Sequence, residues 1–141
     1  MKSRKGSTQH VLVLAQGEEV VQTLTDYCAR EKIRAASFSG VGAVKHVQVG
    51  FYDLSTKEYV FKIEPGPFEV ASLQGNIATV DGNPFLHLHA VLSRMDDSLQ
   101  CIGAHLKTAT VAVTLEVIVT PIDVPLTRKY DEAVGLNLLD L

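Results

Sequence analysis

The stretch Thr110–Thr120, TVAVTLEVIVT, combines alternating apolar residues with a high content of β-branched side chains. Successive side chains of a strand point to opposite faces, so one face of this stretch carries Val111, Val113, Leu115, Val117 and Val119. Ala112 and Ile118 add apolar side chains to the other face. A strand that is apolar on both faces predicts a sheet covered on both sides, by a helix or by other subunits.

Strand patterns recur on the N-terminal side of this stretch. They predict strands at His10–Ala15, Ala36–Gly42 (ending in a glycine-rich bend), Val47–Tyr52, Tyr59–Ile63, Phe68–Leu73, Asn76–Val80 and Phe85–Ser93. Residues Glu18–Lys32 repeat apolar positions every three or four residues, which predicts an amphipathic helix. Residues 128–141 carry no clear pattern. We therefore predict an α+β fold: a mostly antiparallel β-sheet with one main helix packed on it, forming a single domain over residues 8–141 after a basic tail at residues 1–7.

Composition narrows the class of protein. The chain has 141 residues, of which 46% are hydrophobic and 21% charged, and its net charge is −3. These values are typical of a globular domain. The negative net charge argues against a protein whose whole surface binds phosphate groups. Two cysteines give no disulfide framework, and the sequence shows neither a signal peptide nor an apolar segment of membrane-spanning length. We expect a soluble cytoplasmic protein without membrane contact.

Three histidines form the clearest candidate site. His87 and His89 lie two residues apart in a predicted strand, so both imidazoles project from the same face. His105 follows a predicted hairpin turn, and a neighbouring strand could bring it to that face. Three imidazoles with a fourth position left for water or a small anion form a ligand set typical of zinc, although such histidines also occur as a hydrogen-bonded cluster. Glu69 is a candidate second-shell acceptor or general base, or else a solvated carboxylate.

Several stretches, in order along the chain, resemble the plants-and-prokaryotes-conserved (PPC) domain. They are Ser39–Ala43, Gly66–Val70, Ser72–Asn76, Leu86–Ala90, Gly103–Leu106 and Arg128–Glu132 with Gly135-Leu136. The resemblance implies an α+β fold, a homotrimer and, as in prokaryotic members, a zinc ion on three histidines that match His87, His89 and His105. It also implies DNA binding, because plant members join this domain to AT-hooks.

The chain lacks two sequence features of the plant members that are connected with DNA binding. It contains no Arg-Gly-Arg-Pro hook, and Pro67 stands where those members have an arginine. Contact with DNA would then depend on Lys2, Arg4 and Lys5, and we expect it to be weak and sensitive to salt. Three functions stay open: a trimeric DNA-associated regulator, a zinc-dependent enzyme or small-molecule binder, and a trimeric scaffold with structural zinc.

Overall fold

The structure, a computed structural model, describes residues 1–141 as nine strands and one helix. In chain order these are β1 (Lys2–Lys5), β2 (His10–Ala15), α1 (Val20–Arg30), β3 (Ala36–Asp53), β4 (Glu58–Glu64), β5 (Phe68–Val80), β6 (Asn83–Arg94), β7 (Cys101–Pro121), β8 (Thr127–Asp131) and β9 (Leu136–Asp140). The predicted α+β class, mostly antiparallel and in a single domain, is confirmed.

All strands belong to one sheet, in the order β1-β2-β7-β3-β5-β8-β9, with β4 paired to β3 and β6 paired to both β5 and β7. The ladders are antiparallel except for a single parallel pair between Thr79 and Thr127. The pairings β3–β5, β5–β6, β6–β7 and β7–β3 form a closed circuit. Because of this circuit, the C-terminal half of β6 (His89–Ser93) lies beside the first residues of β7 (Cys101–His105).

The helix is two residues shorter at each end than the sequence predicts. Glu18 and Glu19 precede it, and the Glu19 carboxylate accepts a hydrogen bond from the Gln22 amide at 2.5 Å, so Glu19 acts as the N-cap. The apolar side of the helix is buried against the sheet through Val20, Leu24, Tyr27 and Cys28.

The glycine-rich bend predicted at Gly40–Gly42 is wrong, because β3 runs through it without a break. The register between β3 and both neighbouring strands shifts at this point, which marks a bulge. Gly42 has φ +151°, and a Cβ there would lie 2.3 Å from the Thr114 carbonyl oxygen. Here the glycine permits a close approach between two strands and does not end one.

The two ends of the chain also differ from expectation. Residues 1–7 are predicted to be a basic tail, but Lys2–Lys5 form the edge strand β1, whose backbone pairs with β2. Residues 127–140, which lack a strong apolar alternation, form the β8–β9 hairpin. Backbone pairing organises both segments although their side chains are mostly polar or exposed, so apolar periodicity could not detect them.

A core of 25 buried residues lies between α1 and the inner face of the sheet. The outer face of β2 and β3 instead leaves Val11, Val13 and Val41 37–54% exposed. No helix of the chain has the length and apolar character that crossing a membrane would require.

Candidate metal site

The strand β6 presents two histidines on one face and apolar residues on the other. His87 is half-buried and His89 is exposed, whereas Leu88, Ala90 and Leu92 on the opposite face are buried in the core. The antiparallel register places His89 directly opposite His105 of β7. The predicted assembly of His87, His89 and His105 on one face is therefore confirmed.

The three imidazoles form a compact group. The Nε2 atoms of His87 and His89 are 3.2 Å apart, and the ring centroids of the three histidines are 5.0–5.5 Å from one another. One nitrogen from each ring lies within 4.8 Å of the others, so this group could hold a metal ion. Two nitrogens bound to one tetrahedral zinc at about 2.0–2.1 Å are roughly 3.3–3.4 Å apart, close to the separation of His87 and His89.

His105 lies against an aromatic wall supplied by β4. The Tyr59 and Phe61 rings are stacked on each other, and their centroids are 4.8 and 6.1 Å from that of His105. The Nδ1 atom of His105 is buried and makes no hydrogen bond. Burial, and then the charges that His87 and His89 would carry, lower the pKa of His105 to about 4. His105 is therefore neutral at physiological pH, which is the form that binds a metal.

Arg128 of β8 reaches the same site, although no pattern in the sequence singles it out as a site residue. Its guanidinium donates hydrogen bonds to Asn76 Oδ1 at 2.9 Å and to the Asn137 carbonyl oxygen at 3.0 Å, and lies 3.5 Å from His87 Nδ1. Burial, followed by the charges of Arg128 and His89, lowers the pKa of His87. Both Arg128 and Asn76 fall within the stretches that resemble the PPC domain, which was the available signal.

The β8–β9 hairpin that carries Arg128 is fixed to the β3–β4 hairpin. The Tyr52 hydroxyl donates to the Val134 carbonyl oxygen at 2.6 Å, and Lys57 Nζ donates to the Glu132 carbonyl oxygen at 3.2 Å. These contacts close the tip of the β8–β9 hairpin onto the element that supplies Tyr59. The C-terminal hairpin and β4 thus form two sides of the histidine site.

Glu69 lies away from the histidines, which corrects its interpretation as a second-shell acceptor or base. It is an exposed residue of β5 opposite Ser93, whereas His89 is opposite Gln74 of the same strand. Ser93 is four residues from His89 along β6, which corresponds to about 13 Å of extended strand. Spacing along the sequence could not reveal this, because it depends on the register between β5 and β6.

The basic residues Lys2, Arg4 and Lys5 are exposed on β1 but do not share one face. Lys5 forms a salt bridge with Glu31 at the end of α1. Lys2 and Arg4 pair with Val13 and Val11, so they lie on the outer face of the sheet. The chain therefore has two exposed basic side chains, not three, at the edge of this face.

The family model of the Plants and Prokaryotes Conserved domain (PCC, also abbreviated PPC) matches residues 1–123. None of the curated protein sequences matches the chain significantly.

Solved structures are similar over nearly the whole chain. A protein from Ralstonia eutropha, provisionally described as DNA-binding, is 33% identical with a TM-score of 0.90, and the match covers 99% of this chain and 96% of that one. A metal-containing protein from Archaeoglobus fulgidus is 34% identical with a TM-score of 0.87 and full coverage of both chains (100% each). A plant- and prokaryote-conserved protein from Pyrococcus horikoshii is 26% identical with a TM-score of 0.86, covering 99% of this chain and 94% of that one. Because the family model covers residues 1–123 and these structures share the fold over nearly the whole chain, this chain belongs to the Plants and Prokaryotes Conserved domain family.

Proposed function

We propose that the protein binds one zinc ion per chain through His87, His89 and His105 and keeps a fourth coordination position open for a ligand. The observation that carries this proposal is the convergence of three imidazoles from two strands, with ring nitrogens within 4.8 Å of one another. The similarity to a metal-containing protein from Archaeoglobus fulgidus supports it.

The surroundings of the three histidines fit a bound metal ion. The buried Nδ1 of His105 has no hydrogen-bond partner, and a buried polar atom without a partner costs about 1–3 kcal/mol. The lowered pKa values of His87 and His105 keep both rings unprotonated near neutral pH. Three neutral nitrogen ligands with no thiolate are the set found in open zinc sites.

A bound zinc ion supplies a Lewis acid that can polarise a ligand or lower the pKa of a water molecule to about 7. The protein's own residues orient and shield the site. Arg128 is fixed by Asn76 and Asn137 beside His87, and Tyr59 covers one side of His105. Since Glu69 is not near the histidines, we propose a ligand-binding role for this site.

The test is metal analysis of untagged protein purified without chelator, with His105→Gln and His89→Ala as variants. We expect about one equivalent of zinc in the natural protein and less than about a tenth in either variant, because an open site depends on all three ligands. His46→Asn is the matched control: His46 is exposed, and asparagine tolerates its positive φ of 50°. Circular dichroism identifies any variant that fails to fold. Failure of the natural protein to retain added zinc would contradict the proposal.

We also propose that the outer face of the sheet is covered by other copies of the chain in a homotrimer. Val11, Val13 and Val41 are 43%, 37% and 54% exposed there, next to the half-buried Ile118. A single chain gains no stability from apolar side chains left in water, whereas subunit contact removes them from it.

DNA binding is the second candidate function, favoured by the description of the Ralstonia eutropha protein and by the exposed Lys2 and Arg4. Two exposed cations on β1, in a chain of net charge −3, predict only non-specific affinity, with a Kd of roughly 10⁻⁴–10⁻⁶ M. Replacing both residues with glutamine should abolish gel retardation of duplex DNA. Retardation that survives the substitutions and 200 mM salt would contradict this assignment of the contact.

A further inference from the structure

We propose that the cavity beside His89 and His105 binds a small organic carboxylate with an apolar body, whose carboxylate group occupies the open position of the metal. This inference rests on the proposed zinc site and assigns the class of ligand that the site takes.

The cavity lies where the β3–β4 hairpin separates from the first residues of β7. The pairing between β3 and β7 ends at Gly50 and His105, while β3 continues to Asp53 and β7 begins at Cys101. The space between these segments is about 520 Å³, within the roughly 300–1,000 Å³ of small-molecule sites. Its lining includes both histidines together with Phe51, Tyr52, Tyr59 and Ile102. A ligand there would have the metal at one end and aromatic or aliphatic side chains along its length.

The charges around the site favour an anion. The groups in hydrogen-bonding contact with the histidines are another histidine and Arg128, and neither carries negative charge. A divalent ion on three neutral imidazoles therefore lacks a compensating charge, and a carboxylate at the fourth position would provide it. Of the two charged residues that line the cavity, Glu64 is paired with Arg94 at 3.0 Å, whereas Lys62 makes no salt bridge.

Gly103 keeps the cavity open beside His105. The two residues lie two apart in β7, so a side chain at position 103 would project from the same face as the imidazole. The fold does not require glycine there: Gly103 has no positive φ, and an added Cβ would meet nothing closer than Val91 Cγ2 at 3.9 Å. Gly50 differs, because a Cβ there would lie 2.2 Å from the Val60 carbonyl oxygen. A methyl group at position 103 therefore lies within 4 Å of no histidine atom, and position 103 is itself not a metal ligand.

The test uses the full-length protein loaded with zinc and benzoate as the probe. Acetate and benzyl alcohol are the controls, because each has only one of the two parts of benzoate. Zinc content is measured first, and binding is then followed by isothermal titration calorimetry. We expect benzoate to bind with a Kd of about 1 mM or tighter. Acetate, which lacks the apolar body, and benzyl alcohol, which lacks the carboxylate, should each bind at least about tenfold more weakly, and metal-free protein should not bind benzoate.

Two substitutions separate the cavity from the metal. Gly103→Val should weaken benzoate binding at least about tenfold with zinc content unchanged, and Gly103→Ala should have a smaller effect. Protein that holds zinc but does not bind benzoate, binds acetate equally well, or is indifferent to Gly103→Val overturns the inference and leaves the zinc site standing. Protein that holds no zinc overturns both, and the metal analysis shows this before any ligand is added.

Discussion

At the scale of single residues, His105 links the site to the stability of the fold. Its pKa of about 4 in the folded chain lies below the ordinary value of 6.5. Between these pH values an unfolded chain binds a proton at this ring and the folded chain does not. The contribution of His105 to the free energy of unfolding is therefore fully present above pH 6.5 and is lost as the pH falls towards 4.

We therefore predict that metal-free protein loses thermal stability between pH 6.5 and 4, and that His105→Gln loses less over the same interval. Differential scanning calorimetry at half-unit steps of pH, with chelator present, measures both. The same pH profile for the two proteins would show that His105 titrates normally in the folded state.

Arg128 sets the electrostatic environment of His87. Burial is the largest cause of the lowered pKa of His87, and the positive charge of Arg128 beside Nδ1 lowers it further. We predict that Arg128→Met raises the pKa of His87 in an NMR titration of metal-free protein, while Arg128→Lys, which keeps the charge, largely preserves it. Arg128→Met should also cost about 1–3 kcal/mol of stability, because Asn76 loses its partner. Equal His87 pKa values in the two variants would exclude a role for the charge.

At the scale of elements, the β8–β9 hairpin is positioned by its turn. Gly135 has φ +83°, and a Cβ there would lie 2.8 Å from the Tyr52 hydroxyl oxygen, the donor to Val134. We predict that Gly135→Ala loosens the hairpin and speeds hydrogen exchange in β8. Gly17→Ala is the matched control, since Gly17 has φ +89° with no atom within 4 Å of an added Cβ. If both variants affect β8 exchange equally, the contact with Tyr52 does not hold the hairpin.

Some strands and the common face of two histidines are predictable from the sequence, whereas contacts that depend on strand register are not. Apolar patterns predicted β2, most of β6 and the C-terminal half of β7, and the spacing of His87 and His89 predicted their common face, because these depend on local geometry alone. The distance of Glu69 from the histidines and the approach of Arg128 depend on strand register and on a hairpin without an apolar pattern. Such contacts arise between segments far apart in sequence, where periodicity carries no information.

At the scale of the whole molecule, the proposed trimer depends on the outer face of the sheet. We predict that Val41→Asp shifts the protein from a trimer towards monomer in multi-angle light scattering, because it would bury a charge in the contact. Leu54→Asp is the control, since Leu54 is 82% exposed in the β3–β4 turn. A natural protein with the mass of one chain at micromolar concentration would contradict the trimer.

X-ray absorption spectroscopy at the zinc K edge of the purified protein measures both the metal and its ligands in the proposed zinc site. The proposed site predicts a zinc absorption edge and a first shell of three imidazole nitrogens at about 2.0–2.1 Å, together with one further nitrogen or oxygen ligand. It also predicts that the three-imidazole shell is absent in His105→Gln. A zinc edge that is missing after incubation with the metal, or a first shell unchanged in His105→Gln, would contradict it.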